Sequence, residues 1–468
     1  MPAVQAYDPT TTLGSVDGLT EQQQRTGDAI QSVCGQFLAT GAANGEFDTT
    51  REDVAQQQAL FDACGEMVHT ANSLAGNDGP TAKDLGINEQ QLAAALQNVA
   101  AEEVAAAGSL ATESVAGQSN IVGRRLAGIL SRASTLQVSS ANIQGSNSII
   151  LASLPEEFAL AESGGAAAAD DPGLSSPLGF YINALGASAR KTGTEREDGF
   201  SSDTGGISLG IDYLFTNSFL AGINLGFSSS VTDFTITDNV SGGSMDATQT
   251  NVSAYGMWFN DVGYIDVVAG FGAGSYDMDR RIIVPSADDA AEGNDGANAT
   301  VTGNTDSTAG RISLGGGMEI RSGALSFAPY GRVSYLGVAM DGYEEEGESA
   351  LKLRVESQDI DSLTTGFGFR LVGTYSGTKA IVSPQFNVEM IHEFLDDSRQ
   401  IVSTYVHDPR NIPLVIVTDN PDRTYYTMGI GASAVFTNGL QLFGEVRSLM
   451  DLDDLNEFST TAGLRFAF

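Results

Sequence analysis

Through the C-terminal part of the chain, apolar residues recur at every second position, and the residues between them are small or weakly polar. Ile207, Leu209, Ile211, Tyr213 and Phe215 share one phase against Ser208, Gly210, Asp212 and Leu214. After Thr216-Asn217-Ser218, Phe219, Ala221, Ile223, Leu225 and Phe227 oppose Leu220, Gly222, Asn224, Gly226 and Ser228. The phase returns at Ile265, Val267, Ala269 and Phe271, again from Tyr426 to Phe436, and in a last row of Phe458, Thr460, Ala462, Leu464, Phe466 and Phe468. Period two marks a strand whose faces meet different environments. A face turned to bulk water would carry charges, whereas Gly, Ser and Asn suit a confined lumen with the apolar face against lipid.

The connections alternate as well. Short turns fall at Thr216-Asn217-Ser218, Asn260-Asp261-Val262-Gly263, Arg321-Ser322-Gly323, Tyr375-Ser376-Gly377 and Thr437-Asn438-Gly439. Long polar stretches fall near 191–202, 235–245, 280–305, 340–350, 395–423 and 449–455. Five turns and six loops join twelve antiparallel strands, so the expected fold is an all-β transmembrane barrel over residues 176–468. In such barrels the short turns and both barrel ends face the periplasm and the long loops face outside. Trp258, with Tyr255 and Phe259, is expected in the aromatic girdle. No apolar run approaches the ~20 residues of a membrane helix.

The formal charge of −36, from 23 basic and 59 acidic residues, excludes nucleic acid as a partner, since phosphate binding needs clustered Lys and Arg. The runs Glu344-Glu345-Glu346 and Asp288-Asp289-Ala290-Ala291-Glu292 are expected to be solvated loop surface. Met1-Pro2-Ala3-Val4-Gln5 does not have the pattern of a signal peptide, so a mature form or a C-terminal piece is expected. No Gly-x-Ser-x-Gly elbow is present, Gly270-x-Gly272-x-Gly274 lies within a strand, and His69, His392 and His407 are scattered. No enzyme, cofactor or metal site is therefore expected.

Residues 1–175 read as helix followed by linker. Thr20 caps a first helix with Ile30, Val33, Cys34, Phe37 and Leu38 on one stripe. Thr50 with Asp53 resembles a capping box before Leu60, Phe61, Cys64, Met67 and Val68. Cys34 and Cys64, the only cysteines, lie on those stripes, so a disulfide is expected in an exported chain, with two buried thiols as the alternative. A third helix starts near Asn88, with Leu92, Ala95, Leu96 and Val99 inward. A fourth, Ala-rich, spans about 106–134 and includes Arg124 and Arg125. The Gly- and Ala-rich stretch within 153–176 reads as a linker. The division expected is 1–105 helical module, 106–175 lumen helix and linker, and 176–468 barrel.

Several segments resemble the C-terminal β-domain of type V autotransporters. They are Gly179-Phe180-Tyr181-Ile182-Asn183, Leu395-Asp396-Asp397-Ser398-Arg399 and the aromatic terminus. Cys34, Cys64, Ala93-Ala94-Ala95-Leu96-Gln97 and Asn120-Ile121-Val122-Gly123-Arg124-Arg125-Leu126 resemble the segment that precedes the barrel in some members. The resemblance implies a monomeric barrel in the bacterial outer membrane that secretes or displays an attached passenger. It would contact lipid and lipopolysaccharide, with periplasmic chaperones and the barrel insertion machinery as partners. Leu464, Phe466 and Phe468 would form the terminus read during insertion, and 106–134 the helix threading the lumen. Inward Asp212, Asp266, Glu389 and Glu445 would leave the lumen acidic and pair with Arg124, Arg125, Arg332 and Arg447. Some members self-cleave at an Asn pair; the isolated Asn120 argues against cleavage here. The alternatives are a porin-like channel and, less favoured, the carrier of an esterase.

Overall fold

The computed structural model describes residues 12–39, 48, 50–77, 83–108, 111–112, 122–123, 125–126, 177–236, 242–287, 296–395, 397–420, 422–436, 440–450 and 454–467. Twelve antiparallel strands close into a barrel. They are β1 (Leu178–Lys191), β2 (Phe200–Thr216), β3 (Phe219–Phe234), β4 (Gly243–Phe259), β5 (Gly263–Val284), β6 (Ala297–Met318), β7 (Leu325–Met340), β8 (Gln358–Gly373), β9 (Ala380–Glu393), β10 (Thr424–Phe436), β11 (Leu440–Met450) and β12 (Leu455–Ala467). Each pairs with its neighbours in sequence, and β1 meets β12 with Ile182 opposite Leu464, which leaves no open edge.

The phase of each strand follows the sequence. Ile207, Ile223, Phe271, Ile312 and Ile430 are exposed on the outer wall, and Asp212, Asn224 and Tyr255 are buried on the inner one. The apolar outer surface belongs to the turn end. Toward the loop end the outward positions become Asp203, Asp246, Asp277 and Asp306, all exposed. Asp246 and Asp277 are direct cross-strand partners, a like-charge pairing tolerated in water and not in hydrocarbon. The wall therefore rises beyond the bilayer. β5 and β6 are 22 residues each, about twice the 9–11 that cross a membrane. Their hairpin runs to Val284 opposite Ala297, so most of the stretch expected as loop near 280–305 is ladder. Backbone bonds hold a strand together whichever side chains it carries.

The loops of 341–357 and 394–423 depart further from expectation. Tyr343–Glu344, Leu353–Val355, Gln400–Tyr405 and Pro413–Val417 form a separate four-stranded antiparallel sheet at the loop end. Against it pack α1 (Glu21–Ala39), α2 (Val54–Leu74) and α3 (Glu89–Ala100). Phe37, Leu60, Met67, Leu92 and Leu96 share one core with Ile282, Val301, Leu353, Tyr405, Leu414 and Ile416. The helical module is thus a cap built jointly with the loops. Its outer strand, Pro413–Val417, is covered by α1, with Val417 N donating to Gln22 Oε1 at 3.3 Å.

Local signals account for the helix starts. At α1 the Thr20 hydroxyl accepts from Gln23 N at 3.2 Å while Gln23 Oε1 accepts from Thr20 N at 2.9 Å, and Asn88 with Gln91 makes the same reciprocal box at α3. The box expected from Thr50 and Asp53 does not form: Asp53 is itself the N-cap residue and its side chain makes no cap bond. Its carboxylate is taken by Arg51, at 2.7 and 2.6 Å, and by the His407 ring at 2.9 Å. These partners, Arg51 foremost, hold it far below the ordinary carboxylate range.

Cys34 and Cys64 form a disulfide between α1 and α2, with Cα atoms 5.9 Å apart and a sequence separation of 30. Closing such a loop contributes about 3–4 kcal/mol in the chain-entropy account. Reduction is expected to lower the melting temperature of the cap by several degrees and leave the barrel folded, as read by circular dichroism at helix and strand wavelengths. Two reactive thiols in denatured, unreduced protein would rule the bridge out.

Candidate functional site

The lumen is occupied. Residues 104–108, 111–112, 122–123 and 125–126 are helical, and their buried side chains meet the inner wall at both ends. Ala106, Ala107 and Ala111 pack with Phe200, Phe234, Met340 and Ile360 at the loop end. Val122 and Leu126 pack with Tyr181, Leu220, Tyr255, Met257 and Phe259 at the turn end. Small side chains permit the approach: a Cβ on Gly108 would lie 2.7 Å from both Arg399 Nη1 and Ile360 Cδ1. The fourth helix expected over 106–134 otherwise falls largely outside the described residues.

At the turn end Arg125 makes a bidentate pair with Asp212, Nε to Oδ2 at 2.6 Å and Nη2 to Oδ1 at 2.7 Å. The two side chains are 7 % and 1 % exposed. The guanidinium lies over the Tyr181 ring, 5.3 Å from its centroid. Tyr255 Oη is 3.1 Å from Asp212 Oδ2 and 3.2 Å from Tyr181 Oη, which in turn donates to Asn224 Oδ1 at 3.2 Å. Gly210 faces the Tyr181 ring on β2, where any Cβ would overlap it.

A second cluster joins β7, β9 and β11. Arg332 Nε lies 2.6 Å from Glu389 Oε1 and Arg447 Nη2 lies 3.3 Å from Oε2; Arg447 also donates to Thr427 Oγ1 at 2.6 Å. Glu445 accepts from Gln385 at 3.1 Å. Asp266 sits against Gly315, whose Cβ would come within 2.7 Å of Oδ1. A cavity of about 440 Å³ remains between helix and wall, lined by Gly108, Thr112, Arg311, Arg332, Arg447 and Tyr425 among others.

Placement differs from expectation in several respects. The inner wall also carries Arg311, Arg370 and Arg465, so the lumen is charged in both signs and not simply acidic; the same period-two count that placed Asp212 would have found them. Trp258 is 56 % exposed on the outer wall, but Tyr255 and Phe259 are buried on the inner one, because residues one and three apart in a strand take opposite faces from it. Glu345 is not solvated: it is buried against Arg280, with bonds of 2.7 and 2.6 Å. Leu464 is 41 % exposed on the outer wall, and Phe466 pairs in register with Phe180. Arg124, Asn120, Asp288 to Glu292 and Phe468 lie outside the described residues. Among the described residues no group of three His, Cys, Asp or Glu is placed to hold a metal.

The closed barrel has an apolar outer belt, helical residues packed inside its lumen at both ends and a cap on its long loops. Residues 180–447, more than half of the chain, match the family described as the autotransporter beta-domain, and the chain belongs to that family. Among solved structures it is similar to the translocator domain of NalP from Neisseria meningitidis, at 17 % identity and a TM-score of 0.47, covering 63 % of this chain and 91 % of that one. It is similar to the β-domain of the Bordetella autotransporter BrkA at 16 % identity and 0.44, covering 62 % and 100 %. To the AIDA-I transport unit of Escherichia coli it is 13 % identical with a score of 0.41, covering 63 % and 91 %. No curated protein matches. The barrel is a translocator and anchor of type V secretion in the bacterial outer membrane, in contact with its lipid.

Proposed function

We propose that residues 1–105 are the passenger this barrel displays, with 106–175 as the lumen segment and tether. The long loops and the cap then face outside, and the turn end and carboxy terminus face the periplasm. The observation that carries this reading is the threading: one segment touches the wall at the loop end through Ala106 and at the turn end through Arg125. Only a chain that passes through the lumen joins a cap on one side to the start of β1 on the other. The role of the lumen pairs is to seat that segment, since an unpaired charge there is costly. The passenger acts as a displayed structure and not as a catalyst.

Antibody raised against residues 12–105 is expected to bind intact cells. Binding that requires a permeabilised outer membrane would reverse the orientation.

Insertion depends on the carboxy terminus, where the period-two row of the sequence that includes the outward Leu464 runs on to Phe466 and Phe468. Periplasmic chaperones and the insertion machinery are the partners that would read it. Deleting Phe466-Ala467-Phe468 is expected to reduce the heat-modifiable folded form in outer-membrane fractions several-fold. An unchanged yield would remove this role from the terminus.

A further inference from the structure

Where α3 gives way to the lumen segment, three carboxylates are buried, and no cation is ion-paired with any of them among the described residues. Glu102, Glu103 and Asp198 are 1 %, 7 % and 6 % exposed. One nitrogen of Gln97 donates both to Glu102 Oε2, at 2.6 Å, and to Asp198 Oδ1, at 3.0 Å. The Gln97 oxygen accepts from Gln23 of α1 at 3.0 Å. Glu102 Oε1 is buried without a hydrogen-bond partner.

Lys191 and Arg280 are engaged elsewhere, while Arg399 Nη1 is buried without a hydrogen-bond partner and no hydrogen bond or ion pair joins Arg399 to the three carboxylates among the described residues. Lys191, at the end of β1, holds Glu197 and Asp419. Arg280 of β5 holds Glu345 and donates to Asn98 O at 3.1 Å. Arg399 lies against the Gly108 position below. No metal constellation is present among the described residues. Two carboxylates that share one donor nitrogen repel when both are ionised, and burial strengthens the repulsion. What remains to neutralise them is the proton.

We propose that Glu102, Glu103 and Asp198 form a proton-loaded latch that closes the cap on the barrel rim and releases it as they ionise. The latch depends on the contact between module and rim, not on whether the module is the passenger. Burial, reinforced by the neighbouring carboxylates, raises Glu102 well above its ordinary range. Burial with Asp198 raises Glu103 to about 8, against the opposing field of Arg280. Asp198 is raised to about 6, by burial first and then by Glu197. The closed state thus binds more protons than the open one. Its stabilisation is complete below the ordinary carboxylate range near ~4 and weakens as pH climbs through about 6, where Asp198 ionises, and about 8, where Glu103 does; the share of Glu102 is lost as that group ionises in turn. Release frees α3 and the loop sheet and leaves the barrel ladders intact.

The test is hydrogen exchange on the full chain in detergent micelles at about pH 5.5 and about pH 9, corrected for intrinsic rates, since protection reports local opening free energy. Amides of α3 and of Leu353–Val355 are expected to lose protection roughly tenfold or more at the higher pH, while β1–β12 keep theirs. In the triple variant Glu102→Gln, Glu103→Gln and Asp198→Asn, which keeps the acceptors and removes ionisation, the cap should be equally protected at both pH values. Glu103→Gln alone should give a partial effect and serves if the triple variant does not fold. Equal protection of the wild type at both pH values, loss spread over the barrel, or a pH dependence that survives neutralisation would each overturn the latch.

Discussion

Arg125→Glu is expected to unseat the lumen segment and turn rare conductance in planar bilayers into sustained opening. The substitution places a carboxylate against Asp212 and the oxygens of Tyr181 and Tyr255, in a pocket where the native pair is almost wholly buried. Breaking a buried pair by removing one partner costs about 3–5 kcal/mol, which shifts the seated-to-unseated ratio by roughly two to four orders of magnitude. Asp212→Arg added to Arg125→Glu restores an opposite-charge pair and should recover part of the closure, which a general folding defect would not. If Arg125→Glu conducts no more than wild type, the pair does not seat the segment.

A chain that begins at Pro177 is expected to fold into the same barrel, because all twelve ladders close within 178–467, and to conduct more than the intact chain. It should also lose order at the loop end. Leu353, Ile401, Leu414 and Ile416 are covered by the helices, and uncovering each forfeits about 1.5–3 kcal/mol of burial. Protease should therefore cut within 341–357 and 394–423 in the shortened chain but not in the full one, while the barrel resists. Equal conductance of the two chains would show that the segment upstream of Pro177 does not block the lumen.

The barrel was legible because a strand buried on one side repeats its signal every second residue, and twelve repetitions reinforce one another. Asp212 was placed inward by the alternating row from Ile207 to Phe215. The cap was not legible. Leu353–Val355 is three residues and Tyr343–Glu344 is two, too short to show a period, and Leu353–Val355 finds its second partner, Ser403 to Tyr405, some fifty residues on. Glu345 looks like its neighbours Glu344 and Glu346, and only the fold brings Arg280 to it. The same holds for Arg125: charge sign suggested an acidic partner on the wall, but which one depends on how deep the segment sits. Asp53 misled because a carboxylate near a helix start suits a cap, and tertiary partners claimed it first.

The shared core of cap and loop sheet fixes how far the module stands from the cell. A passenger on a loose stalk sweeps a volume and reaches across a surface coat; on the assignment proposed above, this module is instead a passenger docked on the rim of its own barrel. Anything that engages it must come to the membrane surface, and every copy meets that visitor in the same orientation. A pull on the module would load α3, the Arg280–Glu345 contact and the loop sheet together rather than one after another, so the attachment resists force in parallel, as a fitting bolted at several points does.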